Sequence, residues 1–183
     1  MSDELLIRFC APTLAGLKTG SMFSCAFLSR EALYESVREL NRRLLPKGLR
    51  VLPLRFFAGR GLIYVYRPGQ LARDLSGSAA RALLAGLGYP CGSAERCLAR
   101  LMRRLREGGE FPHEIGLFLG YPAEDVLGFI EHRESSKCGG GWRVYGDENK
   151  AQKTFARFKK CTEVYCAQYR HGTSIDTLAV AKI

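Results

Sequence analysis

The sequence contains no Cys-x-x-Cys pair, no His-Glu-x-x-His, and no Lys-Ser or Lys-Thr after its glycine run Gly139-Gly140-Gly141. These absences speak against a zinc knuckle, a zinc protease and a Walker-type phosphate loop respectively. No apolar run approaches the roughly 20 residues that a membrane span needs, so no membrane partner is expected. The opening Met1-Ser2-Asp3-Glu4 is acidic and lacks the basic-then-apolar layout of a signal peptide, which points to the cytoplasm. The seven cysteines are odd in number, unlike a secreted disulfide framework. Cys91 with Cys97, and Cys161 with Cys166, lack zinc spacing, so free thiols and no metal site are expected.

What is there fits a single domain, 1–183, large enough for a real core. Hydrophobic residues make up 46% and charged residues 25%, an ordinary globular balance. The formal net charge is +10, from 28 Lys and Arg against 18 Asp and Glu. That excess is compatible with nucleic acid, an anionic ligand or an acidic protein partner. The basic residues are spread along the chain. Arg96, Arg100 and Arg103 crowd one helical pattern, and Lys153, Arg157 and Lys160 recur on another. Such stripes are a patch for an anionic partner or, more plainly, solvated helix faces.

The stretch Phe111 to Ile130 reads as two short helices joined at Gly120-Tyr121-Pro122. Glycine suits the left-handed residue that ends a helix, and proline suits the first turn of the next. The same Leu-Gly-Tyr-Pro stands at Leu87 to Pro90, so one turn solution is used twice.

Elsewhere, Leu5 to Cys10 reads as a short buried strand, with a helix starting after Ala11-Pro12-Thr13. Ser29 is the expected N-cap of a helix carrying Leu33, Val37, Leu40 and Leu44, stopped at Pro46-Lys47-Gly48. Leu49–Phe57 and Leu62–Arg67 flank Ala58 to Gly61 as a β-hairpin, and Pro53 marks its first strand as an edge or a bulge. Helices are expected near 69–85, 93–107, 113–120 and 122–132, then a loop and a short strand from Trp142 to Tyr145. Asp147 then caps a long helix with Ala151, Phe155, Phe158, Thr162, Tyr165 and Tyr169 turned inward. Thr173 and Asp176 resemble a capping box for a last helix ending near Ala181. The fold class is α+β: a small mixed sheet of three or four strands with a predominantly helical C-terminal two-thirds. Leu5–Cys10 and Leu62–Tyr66 are expected in one sheet.

Several of these stretches together resemble a bacterial family catalogued as domain of unknown function 3793, common in anaerobic Firmicutes. They are Cys10-Ala-Pro-Thr-Leu-Ala-Gly-Leu-Lys18, Tyr64-Val-Tyr-Arg67, Phe111-Pro-His-Glu-Ile-Gly116, Leu119 to Val126, Trp142 to Asp147, and Cys161. The resemblance runs over nearly the whole chain and brings no activity or cofactor with it. The family's pattern carries more cysteine beside Cys138, where this chain has Gly139 to Gly141, which argues against a metal in that loop.

Cys10 is the sharpest chemical candidate. At a strand-to-helix junction its thiol gains thiolate character from the helix N–H groups, with a hydrogen bond from Thr13 and charge from Lys18. It would then alkylate faster than Cys97 or Cys161. The bland reading is a small buried residue. His113-Glu114 is either an acid–base or ligand pair or merely a helix start. Trp142, after the glycine loop, either faces a flat ligand such as flavin or haem or anchors a core. Glu114 to Ile130 also scans as a DNA-binding helix-turn-helix, with Gly116, Gly120 and Val126 in place. Glu124 and Asp125 at the start of its second helix would face phosphates, which disfavours that reading.

The leading expectation is therefore a cytoplasmic bacterial accessory protein that binds a small ligand or cofactor near Cys10, with a redox link as one form. Alternatives are a nucleic-acid-binding or regulatory module built on the basic helix and the hairpin, and a scaffold for an acidic redox partner. Cofactor identity and catalysis stay open.

Overall fold

The computed structural model describes residues 1–90, 92–108 and 110–181; Cys91, read above with Cys97, lies outside them. The order of elements is α1 (Asp3–Leu14), β1 (Gly20–Ala26), α2 (Arg30–Leu44), β2 (Arg50–Phe57), β3 (Arg60–Tyr66), α3 (Pro68–Ser76), α4 (Ser78–Gly86), α5 (Ala94–Glu107), α6 (Ile115–Phe118), α7 (Ala123–Glu131), β4 (Cys138–Gly139), β5 (Arg143–Val144), α8 (Glu148–Arg170) and α9 (Ile175–Leu178). The fold is α+β. Among the described residues, no helix is long and apolar enough to cross a membrane. Two compact units emerge, one of residues 1–69 with 158–183 and one of residues 70–157, so the boundary falls within α8.

In the first unit, a three-stranded sheet has the order β1-β3-β2. The expected mixed sheet is wholly antiparallel, because β3 returns from the hairpin and inserts between β1 and β2, antiparallel to each. Ala58 and Gly59 make the hairpin turn with φ of 42° and 70°, the left-handed pair that a two-residue turn requires. Pro53 lies on an edge strand, and the register slips between Pro53 and Arg55, so the residue that cannot donate sits where the ladder is interrupted. α1 packs on β1 and α2 on β2. The core joins Leu6, Ile7, Cys10 and Leu14 of α1 with Leu33, Val37, Leu40 and Leu44 of α2, together with Phe23, Val51, Ile63 and Val65 of the sheet. Each such aliphatic side chain contributes roughly 1.5–3 kcal/mol by leaving water.

Leu5–Cys10 is helix, not strand, and so shares no sheet with Leu62–Tyr66. Ser2 Oγ accepts from Leu5 N, Asp3 and Glu4 occupy the first turn, and the buried Leu6, Ile7, Cys10 and Leu14 follow helical spacing. The strand of this region comes later, as β1. Ser29 caps α2 as expected, accepting from Ala32 N at 3.1 Å. The last helix is a single turn capped by Ser174, not by Thr173, and it ends at Leu178.

In the second unit, the helix expected over 69–85 is broken at Gly77 into α3 and α4. Both Leu-Gly-Tyr-Pro copies close their helices in the same way. Gly88 N donates to Ala85 O at 3.0 Å and Tyr89 N to Leu84 O at 2.9 Å; Gly120 N donates to Leu117 O at 3.1 Å and Tyr121 N to Gly116 O at 3.0 Å. The glycines take φ of 72° and 77°, so each turn needs a residue without Cβ. A Cβ on Gly116 would meet Val126 Cγ2 at 2.8 Å, which sets how closely α6 and α7 approach. Asp147 caps α8 by accepting from Lys150 N at 3.0 Å. Along α8 only Ala151 is fully buried; the other stripe residues are half-buried.

Candidate functional site

Asp125 organises the second unit. It enters in the first turn of α7 and is buried. Its Oδ1 accepts from Tyr145 N at 2.7 Å and Gly146 N at 2.8 Å, and its Oδ2 accepts from Trp142 Nε1 at 2.7 Å. Three donors satisfy one buried carboxylate and pin the β4–β5 ribbon to α7. The indole held in this way stacks on Tyr121, with centroids 4.7 Å apart, and meets Phe155 edge-on at 4.5 Å. Gly140 has no room for a Cβ, because the Phe155 ring lies against it.

Beside Trp142 opens a cleft of about 190 Å³, lined chiefly by His113, Tyr121, Asp125, Phe129, Trp142 and Arg143. His113 is half-buried and packs edge-on against Phe129 at 4.9 Å. Arg133 stands over the Phe129 ring as well, 4.9 Å from its centroid. Arg143 donates through Nη1 to Arg133 O at 2.8 Å. His113 and Trp142, separate candidates in the sequence, thus meet in one cleft.

Glu114 does not join them. Its carboxylate turns away from its neighbour's cleft and is buried, with Oε1 accepting from Tyr89 Oη at 2.5 Å and pairing with Arg104 Nη1 at 2.6 Å. It makes no capping bond to α6, so the expected helix-start role falls to the backbone alone. Burial, and then this hydrogen bond, push the Tyr89 hydroxyl above its ordinary pKa.

Cys10 is corrected in place and in chemistry. It lies in the third turn of α1, fully buried, far from the N-terminal N–H groups that would favour a thiolate. Burial drives its thiol well above the ordinary range, and the charge of Lys18 offsets only part of this. Lys18 is itself pushed down to about 8, chiefly by burial. Thr13 bonds Ser21, Oγ1 to Oγ at 2.8 Å. Cys10 and Thr13 are thus fully buried, and Lys18 is half-buried.

The residue that sequence reasoning missed is Arg67. It is 2% exposed. Its Nε donates to Thr13 O at 2.8 Å, its Nη2 to Leu14 O and Val180 O, each at 2.7 Å, and its Nη1 to Lys47 O at 3.2 Å. A guanidinium thereby takes up the last carbonyls of α1, where the helix dipole favours a cation. The signal was an arginine continuing straight from the apolar strand Tyr64-Val-Tyr66.

On α5, Arg96 and Arg103 are exposed, whereas Arg100 is half-buried and its Nε has no partner among the described residues. Lys153, Arg157 and Lys160 are exposed on α8. The helix-turn-helix reading meets two geometric obstacles. α6 is one turn long, and Asp125, expected at a phosphate-facing surface, is buried. Among the described residues, no three His, Cys, Asp or Glu side chains are arranged to hold a metal ion. No curated protein matches this sequence and no solved structure matches its fold. The family model described as protein of unknown function DUF3793 matches residues 6–179, and the chain belongs to that family.

Proposed function

We propose that the protein binds a small planar acid, an aromatic carboxylate of one or two fused rings, in the cleft beside Trp142. The observation that carries this reading is the spent state of Asp125. Both of its oxygens are engaged by protein donors, so the polarity left in the lining is basic, at Arg143 and His113. The walls are rings: Tyr121, Phe129 and Trp142. Rings favour a flat apolar body, and an arginine at the mouth favours a carboxylate. At about 190 Å³ the space is smaller than the sites of roughly 300–1,000 Å³ that hold drug-sized ligands, so flavin and haem do not suit it. Cys10, fully buried in the core of the first unit, is not among the residues that line this cleft. The free thiols of Cys10, Cys25, Cys138, Cys161 and Cys166 support a reducing cytoplasmic setting.

Trp142 is the sole tryptophan of the chain, so its fluorescence reports on this cleft alone. Titration with benzoate and with indole-3-carboxylate should give a saturable change, and benzamidine should give none. Arg143→Gln should weaken carboxylate binding by about tenfold or more, the worth of one charge-assisted hydrogen bond. An equal response to benzamidine, or no response to either acid, would defeat the reading.

A further inference from the structure

One end of the first unit exposes an unusual concentration of apolar side chains. The β1–α2 loop and the β2–β3 hairpin turn adjoin there, with Phe27 N donating to Gly59 O at 3.4 Å. Leu28, in the loop between β1 and α2, is fully exposed, and Tyr34 and Phe57 are 41% and 39% exposed. Phe27 and Phe56, both half-buried, meet edge-on at 5.6 Å, and Tyr34 lies 5.6 Å from Phe56. Arginines frame the rings. Arg30 stands 5.0 Å over Phe56, Arg55 stands 5.9 Å over Phe57, and Arg60, opposite Phe57 in the ladder, holds Ser24 O at 2.9 Å. The acid in the first turn of α2 is Glu31. Scattered surface leucines need no explanation, but an apolar tip ringed by aromatics and three arginines does.

We propose that this tip docks on an anionic lipid bilayer, with Leu28 and Phe57 entering the acyl boundary and Arg30, Arg55 and Arg60 at headgroup level. One fully exposed aliphatic side chain, exposed aromatic rings and guanidinium groups over such rings together are the side-chain mixture that a membrane interface accommodates. The basic ring complements anionic headgroups, as does the net charge of +10. A side chain as exposed as Leu28 suits a fluid acceptor, whereas a rigid protein partner would need a pocket shaped for it. Expecting no membrane from the lack of a spanning segment addressed only crossing, and lying on a surface requires no span.

Flotation of the full chain with vesicles of phosphatidylcholine containing phosphatidylglycerol as the minor lipid tests the proposal. The protein should float with these vesicles, not with pure phosphatidylcholine, and less as salt rises. Leu28→Asp should reduce the floated fraction about tenfold, since it removes the buried area of one aliphatic side chain. Arg30→Gln with Arg55→Gln is a second variant that leaves the core untouched and should cut binding while reducing its salt dependence. Failure of the wild-type chain to float overturns the proposal, as does equal flotation of wild type and both variants. Salt-sensitive capture by an acidic protein together with no flotation would also overturn it, assigning the tip to a protein partner.

Discussion

Arg67 of the first unit and Asp125 of the second, which also buries Glu114, are both buried charges, and the two are used differently. Arg67 spends its donors on backbone carbonyls of Thr13, Leu14, Lys47 and Val180 and sits in a sealed interior. Asp125 spends its oxygens on two backbone N–H groups and one indole, and that indole forms the wall of an open cleft. Both are satisfied, so neither is itself a reactive group. The difference lies in what the satisfied charge holds in place: main chain alone in the first unit, and a ring facing an open cleft in the second. A buried charge thus marks a site only when its partners reach solvent-accessible space.

The sharpest way to break this contrast is to remove each charge. Arg67→Met should cost about 3–5 kcal/mol in denaturant titration, because several buried carbonyls lose their donor at about 1–3 kcal/mol each. A loss below about 1 kcal/mol would mean that water replaces the guanidinium and that the interior is not sealed. Asp125→Asn should cost about 1–3 kcal/mol, since an amide nitrogen must now face a donor. It should also shift the Trp142 emission to the red, which a purely structural loss in the first unit would not do.

A third test concerns Lys18. Its folded value, pushed down to about 8 from 10.5, means that the unfolded chain binds the proton more tightly. The Lys18 contribution to stability should therefore rise as pH goes from about 8 to about 10.5, by an amount on the order of 1–3 kcal/mol, against the opposite contribution of Cys10, whose raised thiol lowers stability as pH passes the ordinary thiol value of 9.0. Lys18→Met should abolish the rise; its persistence would assign the effect to another group. The smallest effect is kinetic and leaves stability unchanged. Alkylation mapped by mass spectrometry should label Cys10 more slowly than the half-buried Cys138, Cys161 and Cys166. Faster labelling of Cys10 would restore the reactive thiol.

The parts of the fold legible in the sequence were those decided by local backbone chemistry. The paired Leu-Gly-Tyr-Pro turns, the Ala58-Gly59 hairpin and the Ser29 cap each need a particular residue at a particular φ or donor, and the sequence supplies it. Leu5–Cys10 failed because a short apolar run does not distinguish strand from helix, and the decisive features were Ser2, Asp3 and Glu4 just before it. β1 was missed because Gly20, Ser21, Ser24 and Cys25 dilute the usual strand composition, and its burial comes from α1 packing over it. The cleft was half legible. His113 and Trp142 were singled out, while Asp125 looked like a surface acid because its partners lie some twenty residues ahead, in the loop at Trp142 to Gly146. Arg67 was out of reach for the same reason, its partners being scattered from Thr13 to Val180.

The bond from Arg67 to Val180 has a consequence for the order of folding during synthesis. The first unit is discontinuous, and its central arginine waits for a carbonyl 113 residues downstream. The second unit is one uninterrupted stretch, 70–157, and needs no such late arrival. On a chain emerging residue by residue, the inserted unit can therefore reach its native contacts first. The sheet with α1 and α2 must meanwhile persist with the Arg67 guanidinium incompletely coordinated, until the segment around Val180 arrives and its own N–H also reaches Leu14 O.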